Sequence, residues 1–127
     1  MNKYIPGDLV SVYVGVKKYI VEVIGTENEN EVLLYQIKFP NGEIQYADKD
    51  NIVPIPLTPE ILEKNEWKSI NGKYALKIKN ANYVVLEFTE DGIYAYINEK
   101  TMLFTIKYIH ELQHLLFGFG INHEMEV

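Results

Sequence analysis

Cysteine is absent from this 127-residue chain, and with it go disulfides, iron–sulfur clusters, thiolate zinc sites and thiol nucleophiles. Arginine is absent too: all 12 basic residues are lysine, against 18 acidic ones, for a net charge of −6. Arginine is the usual bidentate reader of phosphate and guanine. No basic half is hidden, since residues 1–55 carry 5 Lys against 8 acids and residues 56–127 carry 7 against 10, −3 each. That balance argues against nucleic acid as a partner. Ser11 and Ser69 are the only serines, which leaves little for a serine triad. No P-loop, dinucleotide fingerprint or nucleophile elbow occurs. The opening MNKYIPGDLV lacks the charged and apolar regions of a secretory signal. No apolar run approaches the roughly 20 residues that span a bilayer. The expectation is a cytoplasmic protein with no cofactor and no membrane partner.

What is present is ordinary globular material. A hydrophobic content of 47% with 24% charged residues lies outside the range of disordered chains. In the first half, Pro6-Gly7-Asp8 introduces the β-branched run Leu9 to Val14. Lys18 to Ile24 follows the break at Gly15, and the polar stretch Gly25 to Glu31 reads as an exposed loop. Val32 to Phe39 is a third strand, and Asn41-Gly42 a hairpin turn into Glu43 to Ala47. A tight turn over Asp48 to Asn51 and a short strand Ile52 to Ile55 complete five strands.

Gly7-Asp8-Leu9-Val10, Tyr35 to Gly42 and Asp50-Asn51-Ile52-Val53-Pro54 together resemble Tudor-type SH3-like barrels. The resemblance covers residues 1–55 and implies a ligand-binding barrel, often for peptides. Tyr13, Tyr19, Tyr35 and Tyr46, with Phe39, supply material for an aromatic binding surface or a cage around a cationic side chain. A small barrel also needs about half of such rings in its core.

The second half, 56–127, reads as a small α+β unit. Thr58 caps a short helix from Pro59 to about Lys64, with Pro59 at its first position and Glu60 in its first turn. Trp67, the only tryptophan, is the expected anchor of this half's core. A meander comes next: Trp67 to Ile70 and Lys73 to Lys79 flank Asn71-Gly72, and Tyr83 to Thr89 and Ile93 to Asn98 flank Glu90-Asp91-Gly92. Met102 to Phe104 is an expected edge strand. Thr105 is the expected cap of a final helix, with Gly118 as its left-handed terminator. The fold class is therefore mainly β within α+β: a barrel, then an antiparallel sheet with a short helix and a longer C-terminal one.

Pro54 to Trp67, with Lys107 to Phe117, is similar to a family of small proteins from Bacteroidales phages and prophages. Its members carry the words PIPLTEEILxKNGF and KYVHQLQNLYFALTG and have no assigned activity. The resemblance implies origin and architecture without chemistry. The family has Gln and Asn where this chain has Glu111 and His114.

Those two departures create His110-Glu111-Leu112-Gln113-His114, an HExxH pattern. Residues i and i+4 share a helical face, so His110 and His114 offer two zinc ligands and Glu111 a general base. A catalytic zinc needs a third ligand. The metzincin continuation fails, with Phe117 and Gly120 where Gly and His belong. Around the helix, Tyr108, Ile109, Leu112, Leu115, Leu116 and Phe119 form an apolar stripe, and both histidines fall on the opposite, wetter arc or at its boundary. Three readings are open. The first is a non-enzymatic protein-binding or structural module, partnered by another protein or a second copy. The second is a minimal zinc hydrolase, and the third a nucleic-acid-binding barrel.

Overall fold

A computed structural model describes residues 3–78, 82–98 and 101–127, with backbone alone for 101–104. The chain divides into two compact units, Met1–Ile55 and Pro56–Val127. Each carries a five-stranded antiparallel sheet, so the protein is mainly β within the α+β class.

In the first unit, β1 (Leu9–Val14), β2 (Lys17–Glu29), β3 (Val32–Lys38), β4 (Ile44–Ala47) and β5 (Ile52–Pro54) lie in the order β4-β3-β2-β1-β5. A 3-10 turn, Lys49–Asn51, precedes β5. Asp48 caps it by accepting from the amides of Asp50 and Asn51 at 2.9 and 3.2 Å. Val10, Val12, Val21, Val23 and Ile37 point to one side by strand alternation. They join Ala47 from one edge strand and Ile52 from the other in a single core. Sharing one core between both edges requires the sheet to curl. A bulge between Val23 and Gly25 supplies local bend. A Cβ at Gly25 would come within 2.9 Å of the Gln36 amide oxygen. The buried Asp8 ties the chain before β1, its carboxylate accepting from the Ile5 amide at 3.0 Å.

One expected loop is a strand. Residues 25–29 extend β2, pairing from Gly25↔Gln36 to Glu29↔Val32, and Asn30 and Glu31 make a two-residue turn with φ of 51° and 67°. This arm is polar on both faces, so alternation left no trace in the sequence.

The second unit runs α1 (Pro59–Lys64), β6 (Lys68–Ile70), β7 (Lys73–Lys77), β8 (Tyr83–Thr89), β9 (Gly92–Ile97), β10 (Thr101–Ile106) and α2 (Ile109–Gly118). Its sheet is a plain meander, β10-β9-β8-β7-β6. The end expected at Lys79 lies outside the described residues. Register puts Leu76, Val84 and Ile97 in one row and Leu86 and Ala95 in the next. Val84, Leu86, Ile93, Ala95 and Ile106 are buried on that face, as are Ile109, Leu112, Leu115 and Leu116 of α2. The segment before α1 is tied to the start of α2 by a bridge between Pro56 and Tyr108. The Leu57 amide also donates to the Lys107 carbonyl at 3.0 Å. Tyr74 on β7 lies beside α1. Lost hydration, and then the Glu63 carboxylate, raise its phenol above the ordinary value.

Both helices end in the same way. After α1, Trp67 donates to the Leu62 carbonyl at 3.0 Å and Glu66 to Glu63 at 3.2 Å, with Glu66 at φ 68°. After α2, Ile121 donates to Leu116 at 3.0 Å and Gly120 to Phe117 at 2.9 Å, with Gly120 at φ 69°. These are paired Schellman motifs. The terminator of α2 is thus Gly120 and not the expected Gly118, which is the last helical residue. Thr105 is not the cap, because β10 runs on to Ile106 and the helix begins two residues after the Lys107 break.

Glu66 holds a left-handed conformation that costs a side-chain-bearing residue about 1 kcal/mol. Glu66→Gly is therefore expected to raise stability by about 0.5–1 kcal/mol in urea unfolding. A destabilised variant would contradict the assignment.

Candidate functional site

The HELQH stretch forms the first turn and a half of α2. Tyr108 stands at the N-cap with extended backbone and has no short oxygen to offer the helix. Glu111 fills that role from within. One of its carboxylate oxygens accepts from the Lys107 amide at 2.8 Å and the Tyr108 amide at 3.0 Å. This is the acidic half of a capping box, satisfying amides at the helix's positive end. The carboxylate that a zinc hydrolase would use as base is spent on the backbone.

The histidines are placed differently from each other. His110 is 4% exposed, with its ring stacked on Tyr108 at 5.8 Å and 12°. His114 is half-buried, its ring edge-on to His110 at 5.6 Å. The expectation that both lie on the wet arc therefore fails at His110. The buried arc of α2 spans Leu115, Leu112, Leu116, Ile109, Gln113 and His110, roughly 220° at 100° per residue. It exceeds the apolar stripe because flat rings and an amide cover the flank. Among the described residues, no group of three His, Asp or Glu side chains is placed to hold a metal ion. His110, Glu111 and His114 are thus brought together as a helix start, without a third ligand.

The four barrel tyrosines do not converge. Tyr35 is 2% exposed; its ring packs edge-on to Tyr4 at 5.4 Å, and its hydroxyl accepts from the Lys3 amide. Tyr19 leans on the core, edge-on to Phe39 at 5.7 Å, with the Lys17 ammonium 5.2 Å from its ring. Tyr13 and Tyr46 are 55% and 52% exposed, but β2 and β3 separate their strands. Three strand spacings of about 4.8 Å put them roughly 14 Å apart across the sheet, too far for one cage. Tyr13 instead lies near the tip of the β1–β2 hairpin, where Val14, Val16 and Ile20 are also exposed, with Val14 on the opposite face by strand alternation.

Sequence reasoning missed Gln113. It is fully buried in α2, and its amide donates to the His123 carbonyl at 3.0 Å. Asn65, just after α1, donates to the Glu126 carbonyl and accepts from the Glu126 amide, both at 2.8 Å. Together they hold residues 121–127 along a cleft of about 580 Å³ that Trp67, Leu76 and Leu116 also line. A polar residue inside the HELQH word carried no sequence signal of this kind.

Among the described residues, no helix is long and apolar enough to cross a membrane. No protein-family model, curated protein or solved structure matches the chain.

Glu111→Ala should lower stability by about 1 kcal/mol, while Glu111→Gln, which keeps an acceptor oxygen, should lose less than half of that. Urea unfolding of the pair distinguishes a cap from a catalytic base, since a base has no reason to stabilise the fold.

Proposed function

We propose that this protein is a non-enzymatic protein-binding module that docks through the β1–β2 hairpin of its barrel-like unit. The carrying observation is where apolar surface is left open. Of the ten large hydrophobic side chains exposed among the described residues, seven lie in the first unit. Three of these, Tyr13, Val14 and Val16, lie within four residues at the hairpin tip, where Val16 is fully exposed. Gly15, at φ 66°, makes that tight tip. Scattered single apolar residues need no explanation, but a cluster on one protruding element marks a contact surface. Tyrosine supplies large contact area at low entropic cost. Lys17 and Lys18, which end the hairpin, favour a partner with acidic groups around an apolar patch.

The setting is the one its sequence resemblance implies, a phage or prophage product acting in the host cytoplasm. The partner is a host or phage protein. The chain's negative balance disfavours nucleic acid at the same surface.

Tyr13→Ala combined with Val16→Asp should leave the unfolding midpoint within about 0.5 kcal/mol of the original, as surface changes do. A protein retained from host lysate by the unaltered chain should, once purified, bind the double variant at least about tenfold more weakly, roughly 1.4 kcal/mol. Equal affinity for both would contradict the assignment.

A further inference from the structure

A second surface lies in the other unit and is independent of the hairpin. Residues 121–127 belong to no sheet, yet they alternate as a strand does: Ile121, His123, Met125 and Val127 are half-buried, and Asn122, Glu124 and Glu126 are exposed. An extended segment needs partners for its main-chain groups. Side chains provide them here. Asn65 takes both the amide and the carbonyl of Glu126 at 2.8 Å, as the backbone of a neighbouring strand would. Gln113 takes the His123 carbonyl at 3.0 Å, and the Lys64 ammonium takes the Val127 carbonyl at 2.9 Å. The Asn65 clasp is itself fixed, because its amide also donates to the Ile61 carbonyl at 2.7 Å. The segment lines one side of a partly open cleft of about 580 Å³, and Trp67, Leu76 and Leu116 are among the residues that line the rest.

We propose that this cleft is a binding groove for an extended peptide, and that residues 121–127 are its resident, exchangeable occupant. The incoming ligand is a peptide segment with apolar residues at alternate positions and polar or acidic ones between them. Main-chain recognition through fixed amides reads shape and alternation more than sequence, the logic of strand addition. Lys64 adds a preference for negative charge near one end. The hinge for exchange is Gly120, whose left-handed conformation ends α2 and turns the chain into the groove.

The test uses the full chain. Glu126→Pro removes the N–H from which Asn65 accepts and weakens the hold on the resident segment, leaving Asn65, Trp67, Leu76 and Leu116 unchanged. A fluorescent heptapeptide with the sequence of residues 121–127 should bind this variant at least about tenfold more tightly than the unaltered chain, where the tethered segment competes at high effective concentration. Binding should perturb Trp67 emission and fall at least about tenfold when Asn65→Ala is added. No binding to the Pro variant, or binding indifferent to Asn65→Ala, overturns the proposal. Amide exchange on the unaltered protein is the second measurement. The Glu126 amide should be protected yet exchange faster than the Leu112 and Leu116 amides, through local opening. Exchange at the global unfolding rate, or no protection at all, overturns it as well.

Discussion

The burial of α2 is the constraint on which the second unit depends. Five of its first eight residues are apolar or carry rings that face inward, and Ile109 and Leu112 are fully enclosed. Burying a side chain of that size contributes about 1.5–3 kcal/mol. To be buried this deeply the helix must have its ends satisfied. Glu111 takes the amides at its start, and the Gly120 turn closes its last carbonyls. Both devices also position the neighbouring chain. The first aligns α2 beside the segment leading into α1, and the second sends residues 121–127 back across Trp67.

The two helix ends act together. Each Schellman exit places a large apolar residue, Trp67 or Ile121, at the border of the same cleft. The polar residues that would be unwelcome in such a place, Asn65 and Gln113, are the ones that hold the C-terminal segment by its backbone. The cleft is thus a consequence of how the helices stop, and the first unit needs no comparable device. Its core closes by curling a single sheet, with its spare apolar surface left on the β1–β2 hairpin.

Most of the fold was legible because its signals are local. Thr58-Pro59 marked the start of α1, Asn71-Gly72 a hairpin, and the alternation of Tyr74 to Lys77 a half-buried strand; each is a property of a few adjacent residues. Residues 25–29 were illegible as strand because both of their faces are wet. Thr105 and Gly118 misled for a related reason: cap chemistry was present at both, but strand pairing held Thr105 and the helix end fell two residues later than Gly118 implied. The site was harder to read. Tyr35 and Tyr13 look alike in sequence and differ only in the direction that curling gives them. His110 and Gln113 are polar words buried against a neighbouring ring, Tyr108, and the returning chain at His123, contacts that no helical periodicity reveals.

We propose that HELQH, whose Glu111 caps the start of α2, holds no zinc. Calorimetric titration of zinc into protein carrying no affinity tag tests this most directly. The account predicts no stoichiometric heat of binding, and no change on His114→Asn. One tightly bound zinc per chain, lost in that variant, would contradict it.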